Sequence, residues 1–119
     1  MSLSAEDHSV RLARHAAHVV LSAWQLDYMK ETAVLIVSEL VTNAVRYAQG
    51  KIGLRLILEG GLVCEVQDGS AALPRIRHPG VEDERGRGLQ VVSQIAQRWG
   101  ARRTPSGKVV WCEQALPHG

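Results

Sequence analysis

Between Glu31 and Ala48 no Gly or Pro interrupts the chain, and the apolar residues recur at helical spacing. The window reads as one long helix, and the rest of the fold must be built around it. With Glu39 at zero on a helical wheel, Asn43 lies about 40° to one side and Arg46 about 20° to the other. Val34, Val37, Val41, Ala44 and Ala48 cluster opposite. Leu35 and Ile36 flank the polar stripe, and no Lys occurs between Glu31 and Arg46. A solvated helix face normally carries more charge. The helix is therefore expected to be covered on nearly all sides, with Glu39 and Asn43 partly buried, where an ionisable group needs a partner. A cation, a phosphate or a water held for reaction would each serve. The competing reading is an ordinary solvated face.

A chain of 119 residues is sized for one domain, 1–119, with a single core. Its net charge of +2 is too weak to suggest nucleic acid, and the basic residues do not form one run. No apolar run reaches membrane-spanning length, and the N-terminus lacks a secretory signal pattern. Cys64 and Cys112 each sit in a strand-like run and read as small buried hydrophobes. A cytoplasmic protein with no direct nucleic-acid or membrane partner is expected. Phe is absent, so the core is aliphatic.

In chain order, Ser4 and Asp7 have capping-box spacing and predict a first helix running to about Trp24. His15 and His18 stand one turn apart in it, but no third ligand accompanies them, so a metal pair is disfavoured. Gln25-Leu26-Asp27 makes a corner before the central helix, and Gly50 is its expected C-cap. Leu54, Leu56 and Leu58 alternate with Arg55, Ile57 and Glu59 as a strand. Gly60-Gly61 signals a two-residue hairpin, and the return strand over Leu62, Cys64 and Val66 runs into Asp68-Gly69-Ser70. Ser70 to Arg87 is rich in Pro, Gly and Arg and reads as a lid or binding loop at about 70–87. Leu89, Val92, Ile95, Ala96 and Trp99 predict a third helix stopped at Gly100. Two strands follow, about Ala101 to Thr104 and Lys108 to Glu113. Consecutive strands on tight turns predict a two-layer α/β sandwich, with a mixed, largely antiparallel sheet and the helices on one face.

Three features fall where a nucleotide could be held. Asp68 ends a strand before Gly69, so its carboxylate can accept from an amino group while the backbone turns. Gly86-x-Gly88 precedes a helix, where bare amides can receive phosphate. The central helix supplies an acid, an amide and a cation. Each is weak alone, and the signal lies in their order along the chain.

That order resembles the GHKL superfamily of ATP-binding domains. Ser38-Glu39-Leu40-Val41-Thr42-Asn43-Ala44-Val45-Arg46-Tyr47-Ala48 is similar to the central motif of bacterial anti-sigma-factor serine/threonine kinases and their actinobacterial relatives. Val66-Gln67-Asp68-Gly69-Ser70 and Arg85-Gly86-Arg87-Gly88-Leu89 resemble the two glycine boxes, and Gly107-Lys108-Val109-Val110-Trp111 the closing strand. The resemblance implies a GHKL fold that takes ATP and Mg²⁺. It implies Glu39 as general base, Asn43 on Mg²⁺, Arg46 on phosphate and Asp68 with Gly69 on the adenine side. Gly86, Arg87, Gly88 and Leu89 would form the lid end around the phosphates. It further implies a sigma factor, an antagonist (anti-anti-sigma) protein or both as partners, and admits a homodimer.

Three positions depart from the family pattern. Ser70 and Ala72 stand where glycines are frequent, which would stiffen the lid hinge. Lys108 stands where a small hydroxyl residue is common, and is left out of the expected site. Relatives tend to begin with a strand before the first helix, and only a few residues precede it here, so part of a sheet edge or of a partner surface is expected to be missing. The leading function is a kinase that phosphorylates a Ser or Thr of an antagonist protein, since a pure binder has no need of Glu39. The alternative is a non-catalytic ATP-binding module that regulates a partner. A histidine kinase's catalytic piece is disfavoured, because no phosphoacceptor segment is recognisable in the sequence.

Overall fold

The computed structural model describes residues 1–6, 8–47, 50–70, 92 and 95–116, with the side chain of Tyr47 outside that description. Five strands form one sheet, β1 (Ser2–Ser4), β2 (Lys51–Leu58), β3 (Leu62–Asp68), β4 (Arg98–Thr104) and β5 (Gly107–Gln114). Their spatial order is β1-β2-β3-β5-β4, and each of the four pairings is antiparallel. Two helices, α1 (His8–Ala23) and α2 (Lys30–Tyr47), pack on one another, and α2 lies across β2, β3 and β5. The two-layer α/β sandwich is as the sequence predicts.

The layers meet through aliphatic side chains. From α1 come Ala13 and Ala17, and from α2 Ile36, Val37, Leu40, Val41 and Ala44; the sheet supplies Ile52, Leu54, Cys64, Val66, Val110 and Cys112. Small residues on α1 let it sit close to α2. Each fully buried Leu, Ile or Val contributes about 1.5–3 kcal/mol, so this seam supplies most of what holds the layers together. Period-2 alternation assigns the faces. Arg55, Glu65, Arg102, Arg98 and Glu113 fall on the opposite face, where Arg102 pairs with Glu65 at 3.4 Å and Arg98 with Glu113. On that open face the Trp111 ring lies over Gly100, where an added Cβ would come within 3.0 Å of it.

Four local expectations need correction. Ser4 does not cap the first helix: it ends β1, its carbonyl accepts from Ser9 Oγ at 2.6 Å, and α1 begins at His8. The edge strand is not missing either. Ser2–Ser4 pairs with Lys51–Gly53, and Leu3 is buried against the core, enough to fix so short a strand. The β2–β3 connection is one residue longer than the glycine pair suggests, because Leu58 pairs with Leu62; Gly60 takes the positive φ of 71°. Finally, Trp99 and Gly100 belong to β4, not to the end of a helix. The chain is helical at Val92 and Ile95, and Ala96 N–H still donates to the Val92 carbonyl, before Arg98 pairs with Glu113 and Trp99 with Cys112. Trp99 satisfies both periods, and pairing with β5 decides between them.

Candidate functional site

The stripe on α2 lies as the wheel arranges it. Glu39 and Asn43 are half-buried and Arg46 is exposed. Ile36 and Leu40 beside them are 1% exposed, whereas Leu35 is 39% exposed, so α2 is covered less completely than its composition suggests. Among the described residues, Glu39, Asn43 and Arg46 have no hydrogen-bond or ion-pair partner. A carboxylate, an amide and a guanidinium thus stand one turn apart, with their side-chain polar atoms uncommitted to any described residue.

At the exit of β3 the arrangement is tighter. Asp68 points to the covered face, as the alternation Cys64, Val66, Asp68 requires. Its Oδ1 accepts from the Ser70 backbone N–H at 2.8 Å and from Lys108 Nζ at 3.0 Å. The Asp68 and Lys108 side chains are each 1% exposed. Asp68 Oδ2 is buried and has no hydrogen-bond partner among the described residues. Two opposite charges out of water must be held in good geometry, because desolvation rivals their attraction. Here the geometry comes from the sheet: Asp68 and Lys108 are direct cross-strand partners. Gly107 brings the strands together at this point. Its φ is 157°, and a Cβ there would fall 2.0 Å from the Asp68 carbonyl oxygen.

Lys108 is the residue that the sequence reading left out. The signal was available, since Lys108 shares parity with Val110 and Cys112 and so faces the apolar layer. A cavity of about 360 Å³ opens beside Asp68, lined also by Lys51, Gly53, Gln67, Gly69 and Ser106. It joins Asp68 and Gly69 but does not include the α2 stripe. Gly86, Arg87, Gly88 and Leu89, and the expected lid beyond Ser70, lie outside the described residues.

The donor set suits the group the fold implies. The Asn43 amide oxygen is a hard donor, of the kind Mg²⁺ takes singly alongside phosphate oxygens and waters. Asp68 Oδ2 is an acceptor lacking its donor, which a nucleobase amino group would supply. Among the described residues, no cluster of three or more His, Cys, Asp and Glu is placed to hold a metal ion by itself, and His15 and His18 are exposed on α1. No helix there is long and apolar enough to cross a membrane.

No curated protein matches the chain. The family model of the histidine kinase-like ATPase domain matches residues 3–113, from β1 into β5. That span takes in the α2 stripe and the Asp68–Lys108 pair, and the domain it describes is an ATP-binding one. The chain belongs to the histidine kinase-like ATPase domain family.

Proposed function

We propose that this chain is an ATP-dependent regulatory kinase of the anti-sigma-factor type, which transfers the γ-phosphate of ATP to a Ser or Thr of an antagonist protein. The observation that carries the reading is Glu39, a half-buried carboxylate one turn from Asn43, uncommitted among the described residues. A positioned base beside a metal donor is what phosphoryl transfer asks of a protein. Asn43 would hold Mg²⁺, which would offset charge on the phosphates. Arg46 sits one turn further on and adds a cation. The resemblance assigns Gly86, Arg87, Gly88 and Leu89, which lie outside the described residues, to the phosphates.

In the reaction, the target hydroxyl oxygen bonds to the γ-phosphorus and the bond to the bridging oxygen breaks. ADP leaves, and Glu39 takes the hydroxyl proton. Partners of matching chemistry are an antagonist protein presenting a hydroxyl and a sigma factor held by the same domain. The test is incubation with γ-labelled ATP, Mg²⁺ and candidate antagonist domains, with calorimetry for ATP in parallel. Label on a Ser or Thr of the antagonist is the expected result. ATP binding with transfer to no candidate would make the chain a nucleotide-dependent binding module instead.

A further inference from the structure

Glu31, Leu35, Glu39 and Asn43 are spaced four apart on α2 and form one row along it, because side chains at i and i+4 are neighbours on a helix surface. Exposure rises along the row. Asn43 and Glu39 are half-buried, Leu35 is 39% exposed and Glu31 is exposed. Among the described side chains of α2, Leu35 is the one large apolar group left exposed. Beyond Glu31, in the turn Asp27–Met29, Tyr28 is 64% exposed. Glu31 has no ion-pair or hydrogen-bond partner among the described residues, while its neighbour Lys30 is taken up by Asp27 at 2.8 Å. The row thus leaves the half-buried site past an apolar side chain and ends on an uncompensated carboxylate.

The direction of the row decides which end a protein substrate takes. α2 ends at Tyr47 and β2 starts at Lys51, and Lys51 and Ile52 line the same cavity as Asp68. The base end of a nucleotide therefore belongs at the C-terminal end of α2, with the phosphates next, at Asn43. In phosphoryl transfer the attacking and leaving oxygens lie roughly in line, so the attacking hydroxyl reaches Glu39 from the opposite side, past Leu35. Resting on the transfer reading above, we propose that Leu35 and Glu31 select the protein substrate: its hydroxyl lies at Glu39, an apolar side chain of the same segment packs on Leu35, and a Lys or Arg meets Glu31. The row sets the spacing. Along the helix axis Leu35 lies about 6 Å and Glu31 about 12 Å from Glu39, at about 1.5 Å per residue. An extended chain advances about 3.3 Å per residue and returns its side chains to one face every second position. Hydroxyl, apolar and basic residues at alternate positions of an extended segment therefore match Glu39, Leu35 and Glu31 in turn.

The test uses synthetic peptides that carry a single hydroxyl: Ser-Ala-Leu-Ala-Lys between glycine flanks, the same peptide with Asp for Leu or Glu for Lys, and each in the reversed order. Transfer from γ-labelled ATP with Mg²⁺ gives KM for every peptide, and calorimetry gives ATP affinity alongside. In one of the two orders the Leu and Lys peptide should have a KM about tenfold below that of the peptide with Asp, and also below that of the peptide with Glu. Leu35→Asp should raise the KM of the matched peptide about tenfold. Glu31→Lys should reverse the preference between the Lys and Glu peptides, which a merely structural residue would not do. Neither variant should change ATP affinity, kcat or the melting temperature. Equal KM for all the peptides, or label on an antagonist domain with none on any peptide, overturns this assignment and leaves the proposed function standing. Transfer to neither peptide nor antagonist overturns the proposed function, and this assignment with it.

Discussion

Lys108 and Asp68 face each other across the β5–β3 seam, and their charged atoms meet at 3.0 Å in a place that water does not reach. The pair belongs at once to the sheet and to the candidate site, so the two kinds of consequence can be measured separately.

The structural consequence is a large penalty for removing one partner. Lys108→Met leaves the Asp68 carboxylate buried without its cation and should destabilise the domain by about 3–5 kcal/mol. Pairing it with Asp68→Leu removes both charges and should restore most of that loss. Urea denaturation of the two variants and the wild type reads the difference. A single variant as stable as wild type would mean that the ion pair contributes nothing.

Glu39 and Asn43 should separate transfer from binding. Asn43→Ala is expected to lose tight binding of ATP with Mg²⁺ and, with it, any transfer. Glu39→Gln keeps the shape and removes the base, so affinity should hold while transfer falls by about 10²–10⁴-fold. Parallel calorimetry and labelled-phosphate transfer check both. Undiminished transfer by Glu39→Gln would remove it as the base.

The thiols should be silent in the folded protein. Cys64 and Cys112 are adjacent across β3 and β5 on the covered face. Burial, with the neighbouring Cys112 adding to it, pushes the Cys64 thiol far up; burial pushes Cys112 from 9.0 to about 12. At neutral pH an aromatic disulfide reagent should therefore react with them only on unfolding. The sign of the pH effect follows. Each thiol's contribution is fully present below its unfolded value near 9.0 and is lost as pH rises towards the folded one. Stability should fall above that point by about 1.4 kcal/mol per pH unit per thiol. Cys64→Ala/Cys112→Ala should lack that part of the slope.

Gly107 should not tolerate even one carbon. In Gly107→Ala the new Cβ would meet the Asp68 carbonyl at 2.0 Å, so the turn must open or β3 must shift. A loss of about 1–3 kcal/mol is expected from backbone strain alone. Thermal melting checks it, and an unchanged melting temperature would show that the close approach is not needed.

Much of this architecture could be read from spacing. Periodicity placed α2 and the β2–β3 hairpin because their patterns are long and uninterrupted. It set Asp68 and Gly69 at a strand exit, and Glu39, Asn43 and Arg46 on one stripe. It failed where a short stretch satisfies two patterns or none. Trp99 fits a helical face and an inward strand position equally, and only pairing with Cys112 decides. Ser2–Ser4 is too short to show a period, and it becomes a strand because β2 offers an edge and Leu3 a place in the core. Lys108 was left out of the expected site because its position commonly carries a small hydroxyl residue. Its parity with Val110 and Cys112 turns it inward, but no local rule announces that an acid forty residues earlier will sit opposite it.

That separation has a bearing on how the sheet assembles. β2–β3 and β4–β5 are each hairpins of neighbouring strands, and the β3–β5 seam is where the two must dock. A slip of one residue at that seam would turn every side chain of β5 to the other face. Lys108 would swing to the open side of the sheet, and Asp68 would be left buried with no counter-charge. Apolar neighbours such as Val109 and Val110 would tolerate the exchange; a buried acid would not. The ion pair therefore acts as a key during folding, accepting one alignment of the two hairpins and rejecting its nearest neighbours.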